Sequence, residues 1–390
     1  MVLTRYQDVL RRPHVTRLLV TSMLARLPQG MSGLAILLFL TPHLGYGRAG
    51  LATGLTVATA GISNVVLARS VDRIGARRVL GPSAALYAAG MLWLAAADHA
   101  HFVVQLAICA VIGLVTPPIS SVSRGLWPRV LSEEQAQVIY GLEATAQEFV
   151  YISGPAAVAL TAGLTSARIA VIVSGLIGLA GALAYISAPP FAAVVGGPGS
   201  GRGQRVLRSG ALRYAAVGMF LVLGFSMTDI ATVDFVSGRS ASAKSGVVLA
   251  IWSFGSLLGG LWFGASNQKV SDRSLASVVA ITASGLALAA VSPDVYGLTL
   301  ILLLSGAAIA PTLARLYTRM SAVAPDGATT EAFGWLAVGF LAGASLGSAL
   351  GGVSVDGIGP RWTFLLAGCA VLCALPVIAA RRPVTSSRGG

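Results

Sequence analysis

Apolar runs long enough to cross a bilayer are the strongest constraint in this sequence. About 20 such residues span the hydrocarbon core as a helix. Twelve runs qualify, near 18–40, 50–68, 79–97, 102–123, 136–163, 167–189, 212–236, 245–264, 275–292, 296–317, 332–353 and 361–380. Composition supports the reading: 55% of the 390 residues are hydrophobic and 11% charged, and the mean hydropathy is +0.79. A soluble domain covers its surface with roughly 25% charged residues. These values exclude a soluble enzyme, a secreted disulfide scaffold and a disordered tail. The 47 glycines suit helices that pack closely in lipid. The first run exceeds the apolar core of a signal peptide and lacks a small-residue cleavage site, so it is read as the first span.

The net charge of +13 is spread along the chain in short clusters, whereas nucleic-acid binding needs a concentrated basic patch. No nucleic-acid partner is expected. Arginine strongly outnumbers Lys244 and Lys269, and with abundant Ala and Gly this hints at a GC-rich bacterial genome. With the N-terminus inside, 21 of the 27 basic residues fall in cytoplasmic segments and five on the other side, with Arg26 inside the first span. The positive-inside rule therefore places both termini in the cytoplasm. Cys109, Cys369 and Cys373 lie inside apolar runs and form neither a disulfide framework nor a zinc site. No metal and no cofactor is expected.

The Gly- and Arg-rich stretch 195–209 reads as a flexible connection between spans 6 and 7. A phosphate-binding loop would need Gly-Lys-Ser/Thr after its glycines, and that is missing. The chain then divides into a six-helix bundle over 1–189, a cytoplasmic linker over 190–210 and a second bundle over 211–390.

The loop between spans 2 and 3 reads Ala68-Arg-Ser-Val-Asp72-Arg73-Ile-Gly75-Ala-Arg77-Arg78. It resembles the signature loop of the major facilitator superfamily, Gly followed by Asp-Arg-x-Gly-Arg-Arg/Lys. Asp72, Arg73, Gly75 and Arg77 match, while Ala68 and Ala76 depart from the pattern. Positive-inside accounts for the arginines but not for Asp72 or Gly75. Gly75 permits a tight turn, and Asp72 can meet a helix N-terminus or a cation. The loop between spans 8 and 9, around Asp272-Arg273, is a degenerate echo. The resemblance implies an all-α integral membrane protein of twelve transmembrane helices in two six-helix bundles. The bundles would be related by a pseudo-twofold axis, with 3+3 inverted repeats in each half. It further implies that Asp72, Arg73 and Arg77 help latch the two halves on the cytoplasmic side. Gly154-Pro155 in span 5 resembles half of a motif associated with antiporters; Val158 and Ala159 stand where its later glycines would be. A packing kink there is an equal alternative.

Arg26, Glu143, Glu148, Asp229 and Asp234 fall inside spans. A charge at the bilayer centre costs about 2.5–3.5 kcal/mol on insertion scales and should face a partner or a wet cavity. Arg26 and Glu148 lie at matching depths, which predicts an Arg26–Glu148 pair. Glu143 lies about 140° round the helix from Glu148. Glu143, Gln147 and Tyr151 form a polar stripe, as do Ser22, Arg26 and Gln29 in span 1 and Ser226 with Asp229 in span 7. Either Arg26, Glu148 and Asp229 line a midplane cavity in which one carboxylate carries a proton, or the pair is a fixed structural tie. Gly339, Gly343, Gly347 and Gly351 form an i, i+4 ladder in span 11. With the family's helix arrangement, the ladder is expected at the sliding interface between halves.

The expected protein is a secondary active transporter of a bacterial cytoplasmic membrane, working by alternating access as a monomer. Its partners are a small-molecule substrate, protons and lipid. Proton-coupled export of a small amphipathic or drug-like molecule is the first reading. Proton-coupled uptake of a sugar or organic acid, with Arg26 binding an anion, is the second. A lipid-translocating member of the fold and a non-transporting receptor or scaffold are further alternatives; the last would require partner-binding extensions.

Overall fold

A computed structural model describes residues 8–97, 101–188, 206, 209–237, 243–264 and 270–380. The described secondary structure is entirely helical. Eleven segments are long and apolar enough to cross a membrane. The twelfth helix, Glu133–Leu164, runs for 32 residues and carries four glutamates. In chain order the helices are α1 (Val15–Leu44), α2 (Leu51–Ile74), α3 (Ala76–Ala96), α4 (Phe102–Val130), α5 (Glu133–Leu164) and α6 (Ala167–Ile186). The second set is α7 (Ala211–Ser237), α8 (Ala243–Gly264), α9 (Asp272–Leu288), α10 (Val295–Val323), α11 (Thr329–Ile358) and α12 (Pro360–Ala379).

α1 and α2 form one uninterrupted helical run, Val15–Ile74, containing Pro28 and Pro42. A straight helix would carry Thr53 about 30 Å from Gly33. A methyl at Gly33 would instead meet Thr53 Cγ2 at 3.8 Å, so α2 folds back along α1. Gly75 ends this run at φ 93° and starts α3 directly. Residues with a Cβ resist that conformation.

Two helices extend beyond their apolar runs. α4 continues past a break at Val115–Pro118, where Pro117 and Pro118 supply no backbone N–H. Its second segment, Ile119–Val130, is buried from Ile119 through Trp127. α10 likewise resumes at Ile309 after a break and runs to Val323, buried over most of its length. These segments pack on protein, so they need not be uniformly apolar. Arg124 and Arg315, counted above with the cytoplasmic arginines, are buried side chains within helices.

The start of α1 and the end of α12 mark one end of the bundle, called here the terminal face. α1, α3 and α6 meet there through Arg17 Nη2 to Ser187 Oγ (2.9 Å) and Arg77 Nε to the Ile186 carbonyl (2.9 Å). Arg213 binds the Ala380 carbonyl in the second half (2.9 Å). The largest apolar core joins the halves, with Val71, Leu126, Trp127 and Tyr140 alongside Tyr317, Phe333 and Leu336. A separate core, including Met31, Ile36, Leu40, Met91 and Ile112, belongs to the first half alone. Helices cross between halves where α11 meets α2 and the second segment of α4, and where α5 meets α8 and α10.

The span 11 ladder does not lie at that crossing. Methyls at Gly339, Gly343 and Gly347 would collide with the carbonyl oxygens of Ala215, Met219 and Leu223, and Gly351 lies over Met227. All four partners are on α7, within the same half. The expectation of an inter-half ladder is therefore corrected. Period alone shows that one helix comes close but not which helix. Glycines that do meet the other half include Gly334, against Ala68 and Val65, Gly61, against Leu341, and Gly125, against Thr330.

Candidate functional site: a buried charge cluster and an inter-half latch

Backbone approach sets the geometry of the buried cluster. α1 crosses α5 at Gly30 and Gly154; a methyl on Gly154 would stand 2.7 Å from the Gly30 carbonyl carbon. The Gly of the Gly154-Pro155 element is thus a contact point between the helices that carry Arg26 and Glu143.

Arg26 is 1% exposed and Glu143 is fully buried. Arg26 Nη2 donates to both Glu143 oxygens, at 2.8 Å and 2.7 Å. Matching depth points to Glu148 as the partner of Arg26; the described partner is Glu143, and the Glu148 side chain lies outside the described residues. Depth matching compared backbone positions. A helical side chain leans toward the helix N-terminus, and a long arginine reaches a turn or more in that direction.

The second segment of α4 completes the cluster. Ser120, Ser123, Arg124 and Trp127 share one face at helical spacing. Ser123 Oγ and Trp127 Nε1 donate to Glu143 Oε1 at 2.5 Å and 2.9 Å. Arg124 Nε stands 3.5 Å from Glu143 Oε2, and Arg124 Nη2 donates to Gln147 Oε1 at 3.4 Å. The Arg124 guanidinium lies 4.2 Å from the Tyr317 ring centre, which brings α10 of the other half to the cluster. Tyr317, Tyr140 and Phe333 pack edge-on or tilted around it. A buried ion pair offsets its desolvation only with good geometry and further hydrogen bonds. Glu143 has both.

Other predicted cavity residues divide. Gln29 accepts from Ser120 Oγ at 3.2 Å, so the α1 polar stripe reaches α4. Ser22 is buried and turned back on its own helix, donating to the Leu19 carbonyl. Tyr151 is exposed. Ser226 sits half-buried beside Gly347 on the α7–α11 contact, while Asp229 is exposed. Asp234 is also exposed and lines a groove of about 410 Å³ with Arg361 and Trp362.

The signature loop forms the second functional feature. Asp72 Oδ1 accepts from Arg129 Nη2 of α4 at 3.0 Å. Asp72 Oδ2 accepts from the Glu331 backbone N–H in the first turn of α11 at 2.8 Å. Those N–H groups have no partner inside their own helix and carry the positive end of its dipole. Arg69 Nη2 pairs with Glu331 Oε1 at 2.7 Å. Gly125 admits Thr330, whose Cα lies 3.0 Å from where a methyl would stand. Asp72 and Arg69 therefore tie the halves together at the terminal face. Arg73 and Arg78 are exposed, and Arg77 binds within its own half. Asp72 makes a cross-half contact, and Arg69 rather than Arg73 or Arg77 pairs across with Glu331.

Residues 18–237 match the profile of the Major Facilitator Superfamily. The chain belongs to that superfamily. It is a multi-pass membrane transporter rather than an enzyme. No curated protein sequence matches it. The E. coli fucose:proton symporter FucP shares its fold at a TM-score of 0.75 and 13% identity, covering 95% of this chain and 100% of that one. A bacterial homologue of the iron transporter ferroportin, in an outward-facing state, gives 0.72 at 13% identity over 93% and 98% of the two chains. The human organic anion transporter MFSD10 gives 0.67 at 14% identity over 94% and 100%. The superfamily assignment and shared fold account for the twelve helices.

Proposed function

We propose that this transporter is a proton-driven antiporter that exports a small amphipathic molecule by alternating access. Glu143, Arg26 and Arg124 form its coupling centre. The observation that carries the proposal is the position of Glu143. It is a fully buried carboxylate on α5 tied to α1 and α4, and through Arg124 its surroundings extend to Tyr317 in the other half. A proton on Glu143 would release its hold on the two arginines, and relative motion of the halves would be felt at the same contact.

The arginine distribution supports placing the terminal face in the cytoplasm of a bacterial cell. On that assignment the Asp72 latch closes the cytoplasmic side. The two units, 1–189 and 211–390, would move as a monomer about the inter-half contacts. Segment 190–210 would join them; most of it lies outside the described residues. Uptake by symport is the second reading, favoured by the presence of two arginines beside one buried carboxylate.

The test is reconstitution in proteoliposomes with an imposed pH gradient, an internal pH dye and a panel of amphipathic compounds. Glu143→Gln should abolish gradient-driven movement while leaving downhill exchange. Full gradient response in Glu143→Gln would move proton carriage to Glu148 or Asp229. The sign of substrate movement relative to the proton gradient separates export from uptake.

A further inference from the structure

We infer that the Arg26–Glu143–Arg124 cluster takes a small organic monoanion, a carboxylate on an apolar body. Arg26, Arg124 and Gln147 would hold the charged end. The inference rests on the reading of this cluster as the transport site.

Among the described side chains, two guanidiniums meet one carboxylate here, leaving one positive charge in excess. Arg26 is 1% exposed and Arg124 is 3% exposed, so bulk water does not neutralise that excess. Glu143 already receives Arg26, Ser123 and Trp127. Arg26 Nε and Nη1 and Gln147 Nε2 have no hydrogen-bond partner among the described residues, and Arg124 Nε stands outside hydrogen-bond geometry from Glu143. A buried donor without an acceptor is costly, as is an uncompensated intramembrane charge. One carboxylate supplies both a counter-charge and acceptors, and guanidinium forks suit its planar geometry. A surplus of one charge fits a monoanion better than a dianion.

The apolar body follows from the surroundings. Arg124 lies against Tyr317, which packs with Tyr140 and Phe333. These buried rings form an apolar wall beside the arginine, which an aryl or alkyl group would meet as the halves part. Because Tyr317 and Phe333 belong to the second half and Arg26 to the first, one ligand would touch both moving units.

The competing counter-ion is Glu148, five residues beyond Glu143. Calorimetric titration of the purified full-length chain with benzoate, benzamide and benzylamine separates the cases. Benzoate should bind, and the neutral amide and the cation should not. Arg124→Gln should weaken benzoate binding about tenfold or more, the scale of one charge-assisted hydrogen bond. Glu143→Gln should tighten it, because the competing negative charge is gone. If Arg124→Gln does not fold, Gln147→Leu takes its place and should weaken benzoate severalfold. Equal binding of benzamide or benzylamine would overturn the inference, as would weaker benzoate binding in Glu143→Gln. So would a wild-type chain that ignores benzoate, including the case in which only Glu148→Gln binds it. Binding is measured here without a gradient. Benzoate binding with no response to a pH gradient would therefore sink the antiport reading alone. Gradient-driven movement of a cation with no anion binding would sink this inference alone.

Discussion

Asp72, in the last turn of α2, and Asp272, in the first turn of α9, flank corresponding connections of the two halves, yet they tie different things together. Asp72 is 4% exposed and reaches the α11 N-terminus of the opposite half. Asp272 has a side chain 36% exposed and stays at home. It accepts from Tyr214 Oη at 2.6 Å, Arg319 Nε at 2.8 Å and Arg213 Nη2 at 3.2 Å, all within the second half. Arg129 serves Asp72 much as Arg319 serves Asp272, since each projects from the terminal-face end of the fourth helix of its half. The partial sequence echo around Asp272 therefore keeps the arginine tie and lacks the reach across. One loop strengthens its own bundle; the other holds two bundles together. A molecule that must open and close needs both types of contact, firm within halves and breakable between them.

The largest test of that division is Gly343→Leu. Its side chain would strike the Met219 carbonyl on α7, inside one half. Overpacking typically costs about 1–3 kcal/mol, and here the obstruction is backbone. Loss of the folded peak in size-exclusion chromatography is expected. Gly54→Leu, where a methyl would meet nothing within 4 Å, should elute normally. A normal profile for Gly343→Leu would remove the α7–α11 contact from the rigid part of the molecule.

Asp72→Ala comes next. It removes a helix-capping bond and an ion pair from the closed terminal face, about 2–4 kcal/mol together. Transport should fall at least about tenfold, because 1.4 kcal/mol already shifts an equilibrium by ten. The melting temperature of the folded chain should change little. Asp272→Ala should show the opposite pattern, a lower melting temperature by a few degrees and near-normal transport per folded molecule. Similar behaviour of the two variants would erase the distinction between loops.

Arg69→Gln should have the smallest effect. Its side chain is 34% exposed, and such pairs contribute about 0–1 kcal/mol with screening by salt. A severalfold loss of transport that shrinks as salt is raised is the expected result. A loss as large as that of Asp72→Ala would make the Arg69–Glu331 pair the main tie.

Much of this architecture is legible in the sequence because lipid imposes a simple rule on helices that face it. Length and apolarity located twelve helices, and Gly75 and Asp72 read correctly as turn and helix-cap residues. The rule fails where protein replaces lipid. The α4 extension through Arg124 and Trp127 reads as a loop by hydropathy, yet it is the wall of the charge cluster. The Ser120, Ser123, Arg124, Trp127 spacing after Pro117-Pro118 was the available signal. The Arg26–Glu143 contact is not legible from depth along the axis, which ignores the lean and length of the side chain. The glycine ladder shows a further limit, since close approach is written in one helix while the identity of its neighbour is not.

The central claim, that Asp72 holds the two halves closed at the terminal face, is tested most directly by a distance between them. Arg78→Cys on α3 and Arg273→Cys on α9 are both exposed positions on that face. Spin labels can be attached there once Cys109, Cys369 and Cys373 are replaced. Pulsed electron–electron resonance on this pair should give one dominant short distance in the otherwise unaltered chain. Asp72→Ala should add a longer population, and Asp272→Ala should not. An unchanged distribution in Asp72→Ala, or the same broadening in both variants, would contradict the account.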